Sequence, residues 1–216
     1  MSFNYSPKIV TNGLVLCLDA ANTKSYVSGS TIWNDISQGG NTGTLTNGPT
    51  FSSANGGSIV FDGTNDYVTT TFSTNPQYFT FECIFKLNSI AGVQVLVGKY
   101  SGAGDNYWMG QYTGNIVWST NGSILDSGVP ISTSSYYTVT CVIGPSLKEI
   151  HVNGVLKNSI ATVSVNPGGT IAIATFGTAL SYYASSNIPS FKFYNRALSA
   201  TEIKQNYNAT KGRYGL

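Results

Sequence analysis

The run Phe79-Thr-Phe-Glu-Cys-Ile-Phe-Lys-Leu87 places Phe79, Phe81, Cys83, Phe85 and Leu87 at every second position. Successive side chains of a strand point to opposite faces, so this spacing predicts a half-buried antiparallel strand and excludes a helix over the same residues. The pattern recurs. Leu14–Leu18 opens the series, and Tyr137, Val139, Cys141 and Ile143 alternate with Thr138 and Thr140. Further strands are expected at Val93–Val97, Asn106–Gln111, Ile116–Ser119, Ile171–Phe176 and Ile188–Tyr194. Asn153-Gly154, inside Glu149–Leu156, is a strong hairpin signal because both turn positions need positive φ. Ser58–Asp62 and Asp66–Thr70, flanking Gly63-Thr-Asn65, are expected to form a second hairpin. About a dozen short strands with turns every 8–12 residues describe an all-β sandwich or barrel.

One helix is expected, at the end. Ser199-Ala-Thr-Glu202 has the spacing of a capping box, and Ile203 and Tyr207 would share the face packed on the sandwich. No long linker or repeat divides the 216 residues, so one domain is expected. Its parts are an N-terminal arm over 1–12, the sandwich over 13–208 and a basic tail over 209–216.

Charged residues make up 9% of the chain, against roughly 25% in an average domain, while 41% is hydrophobic and 12% aromatic. Ser, Thr, Asn and Gly must therefore supply solubility. Such a neutral, hydroxyl-rich surface suits sugars or protein neighbours and does not suit nucleic acid, which needs clustered Lys and Arg. The net charge of +2 is uneven, since Lys192, Arg196, Lys204, Lys211 and Arg213 follow one another with a single acid, Glu202. Either a solvated end or a basic tail docked on an acidic neighbour fits that segment. Cys17, Cys83 and Cys141 are odd in number and lack CxxC spacing, which argues against a disulfide framework or zinc site and for folding in a reducing cytoplasm. The residues at the N-terminus have no apolar signal-peptide core, and no apolar run is long enough to span a membrane.

Six segments, in order, resemble the laminin-G-like branch of the concanavalin A-like lectin/glucanase superfamily. They are Gly13–Ala20, Trp33–Ser37 with Asn41–Leu45, Phe61–Val68, Phe79–Glu82, Ile150–Gly154, and Phe193–Ser199 with Glu202-Ile203. The resemblance implies an antiparallel concanavalin A-like jelly roll with a short C-terminal helix. It also implies that Trp33 and Phe61 are packing residues and that Gly63 and Gly154 serve turns. The family often has an acidic pair near the start of the last strand, where this chain has Pro189 and Ser190. Members of the fold serve as sugar-binding modules, adhesion domains and glucanases, and chains with a similar closing strand and helix occur in tailed-phage structural proteins.

Glucanases of this fold need paired carboxylates on one strand face, about 5–5.5 Å apart for retention. None of the nine acids forms such a run; Asp62 and Asp66 span a turn, and His151, the single histidine, has no nucleophile signature beside it. No enzymatic activity is expected. Calcium is the cofactor implied by the resemblance, with Asp62, Asn65, Asp66, Asp105 and Asn106 as the oxygen donors it could use; Asp and Asn that form turns are far commoner than ligands, and no cofactor is expected. The best ligand-binding candidate is Asp105–Tyr112 with Trp118 across the hairpin, that is Asp105, Tyr107, Trp108, Tyr112 and Trp118. Flat aromatic faces beside a few polar groups suit sugars. Alternation separates Tyr107, Met109 and Gln111 from Asn106, Trp108, Gly110 and Tyr112, and one set must face the core. The function expected is a non-enzymatic virion structural protein of a tailed phage, a capsid decoration protein first and a tail or fibre part second, made in the host cytoplasm. Its partners would be other virion proteins, copies of itself or cell-surface glycans. A carbohydrate-binding module is the alternative.

Overall fold

The computed structural model describes residues 8–72, 76–100, 106–162 and 170–216. The strands, in chain order, are β1 (Leu14–Asp19), β2 (Ile32–Asn34), β3 (Thr42–Thr46), β4 (Thr50–Ser52), β5 (Ser58–Asp62), β6 (Tyr67–Thr70), β7 (Phe79–Leu87) and β8 (Gln94–Lys99). They continue with β9 (Tyr107–Tyr112), β10 (Asn115–Thr120), β11 (Ser123–Pro130), β12 (Tyr137–Ile143), β13 (Leu147–Val152), β14 (Val155–Ala161), β15 (Ala172–Ile173) and β16 (Ser185–Tyr194). One helix, α1 (Ala200–Tyr214), closes the chain. The strands pair antiparallel in two eight-stranded sheets. The first runs β14-β13-β12-β7-β16-β5-β4 with β1 also on β16, and the second runs β11-β10-β9-β8-β15-β6-β3-β2. The all-β sandwich with a C-terminal helix is the architecture expected from the alternation.

Between the sheets the inward set of each strand forms one core. Phe79, Phe81, Phe191 and Phe193 from the first sheet meet Tyr107, Met109, Ile116 and Trp118 from the second. Phe79 stacks on Phe193 at 5.3 Å between ring centroids, and Phe81 meets Trp118 edge-on at 5.7 Å. Burial of rings on this scale is the main stabilising term of such a sandwich. Trp33 and Phe61 lie in the same core, as the resemblance implied.

Three expectations change. The Gly63–Asn65 turn does not make a hairpin: β5 pairs with β4 and β16 in the first sheet, β6 with β3 and β15 in the second. The turn passes the chain between layers, and side chains close it in place of a ladder. Asp62 Oδ1 accepts from the Thr64 amide at 2.7 Å, and Asp66 Oδ2 accepts from the Asp62 amide at 3.2 Å. Gly63 (φ 81°) is required, since a Cβ there would stand 2.8 Å from that of Ser185. Second, β7 is buried on both faces, with Thr80, Glu82 and Ile84 as enclosed as Phe79 and Phe81. The cause is α1, which covers the outer face of the first sheet. Ile203 packs with Val142, Tyr194 and Val10, and Tyr214 packs with Ile84 and Tyr136.

Third, residues 209–216 are not a free basic tail. The helix runs on to Tyr214, whose ring lies 5.4 Å from that of Tyr136, and left-handed Gly215 ends it. Its start is the capping box expected: Ser199 Oγ accepts from the Glu202 amide, and Glu202 accepts from the Ser199 amide at 2.9 Å. Three of the five clustered cations are answered within the chain, Lys192 by Glu82, Arg196 by Glu202 and Arg213 by Asp19. Lys204 and Lys211 stand 4.9 and 5.6 Å from the Tyr207 ring. The described part of the N-terminal arm is likewise docked on its own sandwich. The Val10 amide donates to Asn206 Oδ1 at 2.8 Å, and the Tyr194 hydroxyl donates to the Val10 carbonyl at 3.1 Å.

Candidate functional site

The two outer faces differ. The first sheet is roofed by α1 over a cross-strand row of polar groups, in which Cys17 lies opposite Lys192, Lys192 opposite Glu82, Glu82 opposite Thr140 and Thr140 opposite His151. All five are buried. Lys192 Nζ donates to Glu82 Oε1 at 2.9 Å, and Thr140 Oγ1 donates to Glu82 Oε2 at 3.3 Å. Burial alone would lower the Lys192 ammonium, but the Glu82 carboxylate overrides it and holds the ammonium well above the usual lysine range. His151 Nε2 is 2.9 Å from Glu149 Oε2. These carboxylates are spoken for by neighbours within the fold.

The second sheet settles which set of the Tyr107–Tyr112 strand faces inward. Tyr107, Met109 and Gln111 point to the core, so Trp108 and Tyr112 point out. Trp118 stands opposite Met109 and is therefore also inward. Of the five candidates, Tyr107 and Trp118 are thus corrected to core residues with no accessible surface. Both rings pack on Phe81 between the sheets, which a ligand on the outer face does not reach. Burial pushes the Tyr107 phenol far above its usual range, and neither its hydroxyl nor Trp118 Nε1 has a hydrogen-bond partner among the described residues. Asp105 lies outside the described residues.

Trp108 and Tyr112 remain together on one outward face of β9. Around part-exposed Trp108 the register sets small residues, with Gly98 opposite on β8, Ser119 opposite on β10, and Gly110 two positions along. Gly110 is fixed by the fold, because a Cβ there would come 2.0 Å from the Gln94 carbonyl oxygen. Tyr112 is 40% exposed and stands opposite Asn115, and Ile124, opposite Ser119, is 44% exposed. The sequence reading missed Asn115, Ile124 and Asp126 as parts of this face. The available signal was Asn121-Gly122, whose positive φ values of 48° and 81° turn β10 into β11. Asn115 Nδ2 donates to Asp126 Oδ2 at 3.0 Å, and Asp126 Oδ1 accepts from the Gly128 amide at 2.7 Å. Beside β8 the segment after β15 comes alongside the strand. The Val95 amide donates to the Tyr182 carbonyl at 2.9 Å, and the Tyr183 ring lies 6.4 Å from that of Tyr67.

Charge is distributed as unevenly as cover. The eight strands of the second sheet carry one lysine, Lys99, which is buried, and one acid, Asp126. Among the described residues this face offers aromatic rings, amides and hydroxyls, with Asp126 as its acid. The Asp62–Asp66 turn does not offer a calcium cage. Asp62 Oδ1 is occupied by the Thr64 and Asn65 amides, and these bonds hold its carboxyl below the usual range. Among the described residues no three His, Cys, Asp or Glu side chains converge as a metal site would require.

Comparison with solved structures supports the fold. Domain 4 of AbnA, a GH43 extracellular arabinanase from Geobacillus stearothermophilus in complex with arabinotriose, superposes with TM-score 0.72 at 14% identity, covering 92% of this chain and 100% of that one. The binding domain of Paraclostridial Mosquitocidal Protein 1 gives 0.71 at 16% identity, covering 91% of this chain and 52% of that one. The receptor binding domain of botulinum neurotoxin C/D mosaic serotype gives 0.70 at 14% identity, with 92% and 51% covered. The chain thus spans about half the length of these two toxin structures. Comparison with curated proteins gave no match. A family model of laminin-G-like type, described as concanavalin A-like lectin/glucanases superfamily, matches residues 62–204, from the Asp62 turn through β16 into α1. With two thirds of its length so matched, the chain belongs to the concanavalin A-like lectin/glucanases superfamily.

Proposed function

We propose that this chain is a non-enzymatic, glycan-binding module that recognises its ligand on the outer face of the second sheet, around Trp108. The observation that carries the reading is the asymmetry of the two faces. One is covered by α1 and its carboxylate is consumed by Lys192, while the other presents Trp108 and Tyr112 beside Asn115 on a nearly uncharged sheet. Aromatic faces with a few oriented amides are the usual means of holding a pyranose or furanose ring. The arabinanase domain, solved with arabinotriose, is of the same fold and is matched over its whole length. A glycan array with the isolated chain tests this, followed by calorimetry on the Trp108→Ala variant. Binding that Trp108→Ala weakens supports the site, and a variant that binds as well as the parent overturns it.

A narrower setting is a second reading: the module would be carried on the surface of a tailed-phage particle, as a head decoration or a tail component. What favours it is the Phe193–Ile203 strand-to-helix run on which that resemblance rests, together with three buried free thiols. Mass spectrometry of purified particles from a culture making this protein decides the point, since its absence from them removes the reading.

A further inference from the structure

On the reading that the Trp108 face binds glycan, we infer that its ligand is an uncharged, extended saccharide lying along β9 and not an acidic glycan or a single terminal sugar.

Recognition of sialate, uronate, sulfate or phosphate groups requires a cation, most often the guanidinium fork of Arg. No strand of the second sheet contributes one to its outer face: its single lysine, Lys99, is paired in register with core-facing Tyr107 and is 1% exposed. The other ten basic residues lie elsewhere. Lys192, Arg196, Lys204, Lys211 and Arg213 belong to β16 and the α1 region, on the far side of the sandwich, and Lys8 lies there too, its carbonyl accepting from Gln205 Nε2. Lys148 turns inward to the Trp118 carbonyl, and Lys86 stands over Tyr136. Lys24 precedes β2, which is separated from β9 by five strand spacings, about 24 Å at ~4.8 Å each. Lys157, on β14 of the other sheet, is next to Asn158, whose amide reaches the Asp126 carbonyl; it is the cation beside this edge, and the experiment includes it. The segments 1–7, 73–75, 101–105 and 163–169 contain no Lys or Arg in their sequence. The acid on the face, Asp126, has both oxygens engaged by Asn115 and Gly128, so it is not a free carboxylate seeking an amino sugar.

Length follows from Trp108 and Tyr112. They are four residues apart on the same face, about 13 Å along a strand at ~3.3 Å per residue. Gly110 between them has no side chain and cannot gain one. Two aromatic stations separated in this way contact successive units of a chain, and a single ring can occupy only one.

The test is calorimetry of the intact chain against matched neutral and acidic oligosaccharides of one to six units, at 50 and 500 mM NaCl. Neutral chains are expected to bind, with affinity rising from one unit to about four and changing less than about twofold with salt. Trp108→Ala should lose about tenfold or more on every ligand. Tyr112→Ala should abolish the gain with length. Lys157→Met should change nothing. Selective, salt-sensitive binding of acidic chains, or a loss in Lys157→Met, overturns the uncharged ligand; a monosaccharide as tight as a tetrasaccharide overturns the extended one. Absence of binding to every saccharide overturns the glycan reading itself, a result distinct from either.

Discussion

Lys192 on β16 faces Glu82 on β7 across a ladder pair, Nζ 2.9 Å from Oε1, with both side chains almost wholly excluded from solvent. A buried pair of this kind adds little net stability because desolvation offsets the attraction, yet removing one partner strands a charge. Glu82→Ala is therefore expected to cost about 3–5 kcal/mol. The double replacement Glu82→Leu with Lys192→Met should recover most of that loss. Denaturant unfolding of the two singles and the double measures it, and a double variant as unstable as the single refutes the account.

The Tyr107 hydroxyl is buried among Phe79 and Phe81 without a hydrogen-bond partner among the described residues. An unpaired hydroxyl in an apolar interior is penalised by roughly 1–3 kcal/mol. Tyr107→Phe keeps the ring and removes the oxygen, so it should raise stability, by about 1 kcal/mol after repacking. A measurable fall in the unfolding midpoint would mean that the hydroxyl has a partner in solution.

Glu202 joins the helix cap to Arg196, and the Arg196 hydrogen bonds, followed by those from Ser199, hold its carboxyl down to about 2 from a usual 4.5. A carboxyl depressed on folding stabilises above its unfolded pKa, and the contribution fades as pH falls from about 4.5 towards 2. Glu202→Gln should therefore be less stable than the parent at neutral pH, by about 1–2 kcal/mol. The gap should narrow below about pH 4.5 and close as pH approaches 2. Unfolding curves from pH 2 to 7 check this, and a gap independent of pH would assign the loss to packing instead.

Much of the fold was legible because period two is local. Alternation located β1, β7, β9, β10, β12 and β13, and the Ser199–Glu202 spacing located the start of α1. What alternation does not carry is a sign. Either set of the Tyr107–Tyr112 strand could have faced the core, and only pairing with β8 and β10 decides that Tyr107 goes in and Trp108 out. Long-range partners likewise decide that the Gly63–Asn65 turn changes sheets, since its local chemistry is that of a hairpin. At β15 the expected strand Ile171–Phe176 shrinks to Ala172–Ile173, because Ala174 takes a positive φ of 65°. The end of α1 escaped for a similar reason. Residues 209–216 read as a basic tail, solvated or docked on an acidic neighbour, but Tyr214 finds Tyr136 and Ile84 on the sheet below.

Lys148 gives the last prediction. It is buried at the end of the core, its Nζ donating to the Trp118 and Ser123 carbonyls and to Thr120 Oγ1, 4.9 Å from the Trp118 ring centroid. Three acceptors satisfy its hydrogens, but none of them carries a charge to offset desolvation. Burial therefore pulls the ammonium down to about 8 from 10.5. Below pH 8 folded and unfolded chains are both protonated and the penalty is complete. Between about 8 and 10.5 the unfolded chain holds the proton while the folded one releases it, so the penalty lifts as pH rises. The stability of the parent relative to Lys148→Met should thus climb by about 3 kcal/mol across that interval and be flat below it. Taking the difference cancels the phenols and the thiols of Cys17 and Cys83, whose ionisation acts in the opposite direction in both proteins; Cys141, which feels Lys148, does not cancel. Urea unfolding at pH 7, 8, 9 and 10 measures the slope; a flat difference would mean that water reaches the ammonium in the folded state.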